Sequence, residues 1–204
     1  MLVKSILLRY TVYMQKIDFC GNTVPRRFRV LDKKFKNLIY AALFAALTCI
    51  ATMVIRIPTP GTGGYIHPGD SIVILSGIFL GPIYGSLSAG IGSAMADIIG
   101  GYFFYAPATF LIKGITALLC GYVYEYLAKS RKSCYLAVFL CGLIDMTVIS
   151  GGYYLFEMFF YGVKGALASI PANLIQGISG LILSISLYPI LISIPGFSRK
   201  AFRK

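Results

Sequence analysis

Charged residues are scarce in this chain: they make up 13% of its 204 residues, against about a quarter in an average soluble domain. Hydrophobic residues reach 57%, and the mean hydropathy is +0.78. This composition excludes a soluble enzyme, a disordered chain and a nucleic-acid-binding protein, despite a net charge of +12. It predicts an all-α integral membrane protein with room for about six spans of ~20 residues.

Other residues and motifs are missing as well. Tryptophan is absent, His67 is the single histidine, and the five cysteines stand alone without any CxxC spacing. We therefore expect no metal, no cofactor and no disulfide framework. The chain also lacks the GxxxxGK[ST], HExxH and GxSxG patterns. Any active transport would therefore need an energised partner protein.

The apolar runs define a bundle of six transmembrane helices within residues 37–194, between basic tails at 1–36 and 195–204. A 30-residue run from Ser71 to Gly100 is too long for one span, and Gly81-Pro82 divides it into two short helices. The predicted spans are 37–55, 71–80, 83–100, 107–127, 134–161 and 166–194.

The positive charges predict the orientation of this bundle. With both termini inside, sixteen of the nineteen Lys and Arg residues fall in the two tails and the 128–133 turn. The positive-inside rule then predicts a multi-pass protein of the cell membrane with cytoplasmic termini. The basic tails are expected to contact membrane lipid and no nucleic acid.

Polar residues inside the predicted spans point to a binding site, because a charge within a bilayer is costly. Helical rise places five of them in the outer half of four helices, where a small-molecule site would form. These are Asp97, Lys113, Glu157, Asn173 and Gln176. The alternative is a structural ion pair between Lys113 and Asp97 or Glu157. Asp145 lies deeper and has no predicted partner.

Aromatic residues lie close to this polar set in the sequence. Tyr65, Tyr105 and Tyr153 are placed to stack on a heteroaromatic ligand, and a membrane-interface belt is the alternative reading. No catalytic residue is predicted.

Small residues of the first span form two adjacent helix faces, Ala41-x-x-x-Ala45 and Ala42-x-x-x-Ala46. Small side chains let helices approach closely in lipid. One face can serve packing inside the chain, which leaves the other for an outside partner.

Two segments resemble a known family. They are GGYIHPGDSIVILSGIFLGPIYGSLSAGIGSAMADIIGGYFFYAPATFLIKG (63–114) and IPANLIQGISG (170–180). They resemble the substrate-binding S components of energy-coupling factor (ECF) vitamin transporters, with the closest similarity to the pyridoxine or hydroxymethylpyrimidine branch. The resemblance covers about residues 37–194.

The resemblance implies a six-helix subunit that is loaded from outside with a water-soluble vitamin or precursor. It implies association with a membrane T component and two cytosolic ATPases, with Ala41, Ala45 and neighbouring small residues facing the T component. Pantothenate or another vitamin is an alternative ligand, and pantothenate would need Arg56 or Lys113 as a counter-ion. Two other readings are a small membrane enzyme using Asp97 and Glu157 as acid and base, and a stand-alone carrier.

Overall fold

The computed structural model describes residues 26–58 and 65–194, with side chains from Lys34 onward apart from that of Arg131. The chain divides into two compact units, 1–36 and 37–204, and the fold below is that of the second, together with the first residues of its leading helix. The described residues form six helices and one short hairpin. In chain order they are α1 (Arg26–Val54), β1 (Ile57–Pro58), β2 (Tyr65–Ile66), α2 (Asp70–Leu80), α3 (Pro82–Ile99), α4 (Ala106–Leu127), α5 (Arg131–Leu167) and α6 (Ile170–Ser193).

The lengths and composition of the helices fit a bundle embedded in a membrane. Four of them, α1 from Lys34 onward, α4, α5 and α6, are long and apolar enough to cross a membrane by length and composition. Helix α2 has only 11 residues, but it lies at the centre of the bundle and contacts α3, α4, α5 and α6. Because protein rather than lipid surrounds it, a helix that does not span the bilayer is tolerated there.

The predicted reversal between α2 and α3 is present. Gly81 joins the two helices with φ +80°. Pro82 is the first residue of α3, where the backbone N–H has no acceptor within the helix, so the N–H that proline lacks costs no hydrogen bond. The predicted break near Gly162 is also present, since that residue has φ 70° and ψ 172° within α5. The predicted start of the last span at 166 is wrong. Helical structure resumes after Gly162 as far as Leu167, and α6 begins at Ile170, one residue before Pro171.

Close backbone contacts hold the core helices together. A Cβ added at Gly77 of α2 would lie 2.2 Å from the carbonyl oxygen of Ala117 in α4. We expect Gly77→Ala to lower the free energy of unfolding by about 1–3 kcal/mol, because backbone atoms must shift to admit the methyl group. Denaturant unfolding in detergent micelles measures this loss. Gly151→Ala is the matched control, since its methyl group would meet nothing within 4 Å. An equal loss in both variants would contradict this packing.

The two alanine faces of α1 have different environments. The Ser88 hydroxyl of α3 donates to the Ala41 carbonyl over 2.8 Å, and a Cβ at Gly92 would lie 2.3 Å from the Ala45 carbonyl oxygen. The Ala41/Ala45 face therefore packs against α3 within the chain. The resemblance assigns this same face to an outside partner, and that assignment stays a prediction. The neighbouring residues Ala42 and Ala46 are exposed.

Candidate ligand-binding site

One end of the bundle encloses a polar cavity of about 20 Å³. The C-terminal end of α3, the N-terminal ends of α4 and α6, and the part of α5 around Tyr153 and Glu157 meet there beside the β1–β2 hairpin. The cavity is lined by Tyr65, His67, Asp97, Tyr105, Thr109, Tyr153, Glu157, Ser169 and Asn173. Side chains from four helices and the hairpin thus converge on one point, as the helical depths of the polar residues predict.

Asp97 is the first of two carboxylates in the cavity wall. The Tyr65 hydroxyl donates to its Oδ1 over 2.6 Å, while Oδ2 is buried without a hydrogen-bond partner. Burial and then the hydrogen bond to Asp97 raise the pKa of the Tyr65 phenol, so this hydroxyl remains a donor. One oxygen of Asp97 therefore accepts from Tyr65, and Thr109 is a second hydroxyl neighbour of this carboxylate. Oδ2 forms no hydrogen bond of normal geometry within the chain.

Glu157 repeats this arrangement in the same cavity. The Tyr105 hydroxyl donates to Glu157 Oε1 over 3.1 Å, and Oε2 is buried without a partner. Glu157 is only 2% exposed. The cavity thus contains two carboxylates, each held by one tyrosine and each with one unsatisfied oxygen.

The hairpin positions Tyr65 over the cavity. Pro58 pairs with Tyr65 and Ile57 with Ile66 in an antiparallel register that the sequence did not reveal. The Arg56 guanidinium lies 5.1 Å from the centroid of the Tyr65 ring, within cation–π range, and its Nη2 donates to the Ala96 carbonyl over 3.3 Å. Arg56 therefore fixes the hairpin to the end of α3 and does not line the cavity.

Lys113 pairs with Asp70, not with Asp97 or Glu157 as the alternative reading expected. Both residues are fully buried, and neither lines the cavity. The Gln176 amide donates to Asp70 Oδ2 over 2.8 Å, and its oxygen accepts the backbone N–H of His67 over 3.1 Å. The ion pair is thereby connected to the chain segment that carries Tyr65 and His67.

His67 is a neutral member of the cavity wall. Burial first, and then the positive charge of Lys113, lower its pKa to about 3. Its Nδ1 accepts the backbone N–H of Gly69 over 3.1 Å, which assigns the ring proton to Nε2. The imidazole therefore contributes a neutral N–H donor at physiological pH.

Six of the eight residues predicted for the site line the cavity, and Lys113 and Gln176 lie behind it in the Asp70 network. The six are Tyr65, Asp97, Tyr105, Tyr153, Glu157 and Asn173. Tyr153 also connects the cavity lining with the Asp70 network. Its hydroxyl lies 2.9 Å from Thr109 Oγ1, and its ring centroid lies 5.8 Å from Lys113 Nζ.

His67, Thr109 and Ser169 complete the lining and were not predicted. A single hydroxyl or histidine carries little signal in a sequence. For His67, the nearby glycines and prolines of the loop were the available clue.

Asp145 has an unusual environment. It is fully buried in α5, and neither carboxylate oxygen has a hydrogen-bond partner. A Cβ at Gly180 would lie 2.9 Å from Asp70 Cβ and 3.3 Å from Asp145 Oδ2, so both aspartates pack against this glycine of α6.

Over the residues that the structure describes, no three His, Cys, Asp or Glu side chains are grouped to hold a metal ion.

Comparison with known proteins identifies the family. The family model described as "ECF-type riboflavin transporter, S component" matches residues 32–193. An uncharacterized protein of Pyrococcus woesei is 33% identical over 134 residues, which cover 66% of this chain and 86% of that relative. The thiamine precursor transporter HmpT of Lactococcus lactis subsp. cremoris (strain MG1363) is 29% identical over 165 residues, which cover 78% of this chain and 90% of the transporter.

The fold is also found in a solved structure. The S-component for biotin from an ECF-type ABC transporter superposes with a TM-score of 0.65 at 21% identity, covering 84% of this chain and 98% of that one. This match confirms the predicted helical membrane bundle. The family match confirms the resemblance seen in residues 63–114 and 170–180. The chain belongs to the ECF-type riboflavin transporter S component family and is a membrane-embedded transporter subunit, not an enzyme.

Proposed function

We propose that this S component binds a water-soluble vitamin or vitamin precursor of the pyridoxine or hydroxymethylpyrimidine type in the cavity between Asp97 and Glu157. The observation that carries this proposal is the pair of buried, unpartnered oxygens, Asp97 Oδ2 and Glu157 Oε2. Buried acceptors need donors, and a ligand with hydroxyl, amino or ring N–H groups supplies them. The relationship to a thiamine precursor transporter agrees with this ligand class.

The charge of the cavity wall argues against the pantothenate alternative. Two carboxylates line the cavity, and among the described residues none of the lining side chains is a lysine or an arginine. Lys113 is neutralised by Asp70, and Arg56 stacks on Tyr65. A carboxylate ligand would therefore meet like charges without a counter-ion, which is unfavourable in a buried site.

The lining tyrosines suit an aromatic ring. The Tyr105 and Tyr153 ring centroids are 6.4 Å apart, and Tyr65 closes the cavity on the hairpin side. Such rings favour stacked or edge-on contacts with a heterocycle. Because a cavity of about 20 Å³ holds roughly one water molecule, these side chains must move apart when a vitamin binds.

Titration calorimetry with the purified protein tests the ligand class. The panel contains pyridoxine and 4-amino-5-hydroxymethyl-2-methylpyrimidine as expected ligands, and pantothenate, biotin and riboflavin as competitors. We expect one of the two hydroxymethyl heterocycles to bind most tightly. Tighter binding of pantothenate or biotin would contradict the proposal.

The cavity is proposed to face the outside of the cell. It lies where α4 begins, whereas the basic 128–133 turn lies where α4 ends, so cytoplasmic termini and a cytoplasmic turn place the cavity outside. An impermeant thiol reagent should label a cysteine introduced at Gly63, outside the described residues, in intact cells but leave Cys134 unlabelled. The reverse pattern would contradict this orientation.

The partners are proposed to be a T component and two cytosolic ATPases, whose ATP hydrolysis drives release of the ligand inside. The exposed Ala42/Ala46 face of α1 is the surface offered to the T component. The close packing of small residues is what drives helix association in lipid. Uptake by proteoliposomes that contain this chain alone would instead support a stand-alone carrier.

Substitutions on α1 test this surface. We expect Ala42→Leu and Ala46→Leu to reduce co-purification with a T component at least about tenfold, because the lost close packing is worth more than ~1.4 kcal/mol. Ligand affinity, measured on the same samples, should be unchanged. Ala41→Leu is the contrasting variant. Ala41 is only 9% exposed, so a leucine there must displace its neighbours and should lower thermal stability. Full assembly of both Ala42→Leu and Ala46→Leu would contradict the proposed surface.

A further inference from the structure

A second concavity lies at the other end of the bundle, between α4 and α5. It has a volume of about 410 Å³. Its lining consists of Val123, Leu127, Leu140, Leu143, Ile144 and Thr147. The hydroxyl of Thr147 bonds to the carbonyl oxygens of its own helix at Leu143 and Ile144, over 3.1 and 2.9 Å. The groove therefore presents an apolar surface with no hydrogen-bonding group left to satisfy.

The groove runs along the membrane-spanning parts of both helices. Its α5 residues extend from Leu140 to Thr147, a rise of about 10 Å along the helix. Leu143 is 39% exposed, so the groove opens on the outside of the bundle and not toward the ligand cavity. The residues that line the groove belong to two helices that are long and apolar enough to cross a membrane.

The open end of the groove carries positive charge. Leu127 is the last residue of α4, Lys129 lies in the turn that follows, and Lys132 lies in the first turn of α5, both lysines being exposed. The acidic residue nearest to this turn in the sequence is Glu125 of α4, one helical turn before Lys129, and no other aspartate or glutamate occurs before Asp145. Lys129 lies 5.5 Å from the centroid of the Tyr126 ring, at the level where an interfacial tyrosine is expected. The apolar groove thus ends at a rim of net positive charge, because Lys129 and Lys132 outnumber Glu125.

The turn that carries these lysines is well defined. The Ser130 hydroxyl accepts the backbone N–H of Ser133, and the Ser133 hydroxyl accepts the backbone N–H of Ser130, which forms a capping box at the start of α5. The partial positive charge of a helix N-terminus adds to that of the lysines. The backbone that carries the two lysines is therefore fixed at the start of α5, next to the groove residue Leu127 in the sequence.

We propose that this groove binds one acyl chain of an anionic phospholipid, whose phosphate contacts Lys129 and Lys132. The apolar walls match a hydrocarbon chain, and the basic rim matches an anionic headgroup at the same membrane depth. The positive charge favours an anionic lipid over a zwitterionic one, because each lysine near the membrane surface contributes ~1 kcal/mol to the free energy of binding to anionic lipid. A bound chain would fill the space between α4 and α5 and would stabilise their packing.

Native mass spectrometry of the purified protein tests this site. Dioleoylphosphatidylglycerol and dioleoylphosphatidylcholine are titrated separately, and the bound fraction of each is measured. We expect phosphatidylglycerol to bind about 30-fold more tightly, which is the effect of two lysines at ~1 kcal/mol each. The double variant Lys129→Gln/Lys132→Gln should lose this preference. Lys164→Gln, at the far end of α5, is the charge control and should retain it.

A groove-filling variant separates this site from general surface charge. Leu143→Trp should reduce phosphatidylglycerol binding, whereas Leu136→Trp, exposed on α5 but outside the groove lining, should not. Equal binding of the two lipids, or a preference that survives both the double lysine variant and Leu143→Trp, would overturn the proposal. So would a Leu143→Trp protein that keeps the lipid but no longer assembles with its partner subunits, because the occupant would then be a protein.

Discussion

Replacing Lys113 with methionine should destabilise this protein more than any other single substitution considered above. The change leaves Asp70 as an unpaired charge at a fully buried position, and losing one partner of a buried ion pair typically costs about 3–5 kcal/mol. Thermal and denaturant unfolding in detergent micelles measures the loss. Lys164→Met, at an exposed position of the same charge, should change the free energy of unfolding by less than about 0.5 kcal/mol.

The double variant Lys113→Met/Asp70→Asn distinguishes a charge effect from a packing effect. It removes both charges and keeps a polar side chain for Gln176, so most of the lost stability should return. Ligand affinity in this variant should also recover, because Lys113 acts through the network that positions His67 and Tyr65 and does not line the cavity. If the double variant folds normally but does not bind ligand, Lys113 or Asp70 contacts the ligand directly.

Removing either cavity carboxylate should weaken ligand binding without unfolding the protein. Asp97→Asn and Glu157→Gln each replace an acceptor oxygen with an amide, and the lost or unsatisfied hydrogen bond is worth ~1–3 kcal/mol, about 5- to 150-fold in affinity. Calorimetry gives the affinity, and thermal melts of the same samples verify the fold. Asn173→Ala, on the α6 side of the cavity, should weaken binding within the same range.

Ser86→Ala is a suitable control for these variants, since its hydroxyl belongs to α3 but lies outside the cavity lining. It should bind ligand with wild-type affinity. Wild-type affinity in both Asp97→Asn and Glu157→Gln would mean that the carboxylates only brace the helices. The ligand would then have to bind elsewhere.

The helix boundaries were the most predictable part of this fold, because they depend on local features of the chain. Gly81-Pro82 and Gly162 end or interrupt helices through their own backbone preferences. The exact start of α6 depends on how residues 163–169 pack, and the sequence did not reveal it. The pairing of β1 with β2 was also missed, since two-residue strands carry almost no pattern.

The depth of the site was predictable, and its lateral arrangement was not. Helical rise places Asp97, Glu157 and Lys113 near the same membrane level, but it does not say which side chains face one another. Lys113 meets Asp70 because the short helix α2 occupies the centre of the bundle, so that its first residue lies well inside. The order of helices around that centre is a tertiary property that one sequence does not encode locally.

The alanine faces of α1 show the same limit. The repeat of small residues predicted two faces suited to close packing, but their assignment required the position of α3. In the structure, the carbonyl groups of Ala41 and Ala45 contact α3, which the repeat alone did not show.

Mass spectrometry of the small molecules that co-purify with this protein tests the account most directly. The wild-type chain and the Asp97→Asn/Glu157→Gln double variant are purified in parallel at equal yield, then denatured, and the released compounds are compared. We predict that the wild type releases a heteroaromatic vitamin or precursor with a hydroxymethyl group and no carboxylate, and that the double variant releases at least about tenfold less, as expected for a loss of ~1.4 kcal/mol or more. Release of pantothenate or biotin, or equal release from both proteins, would contradict a ligand site built on these two carboxylates.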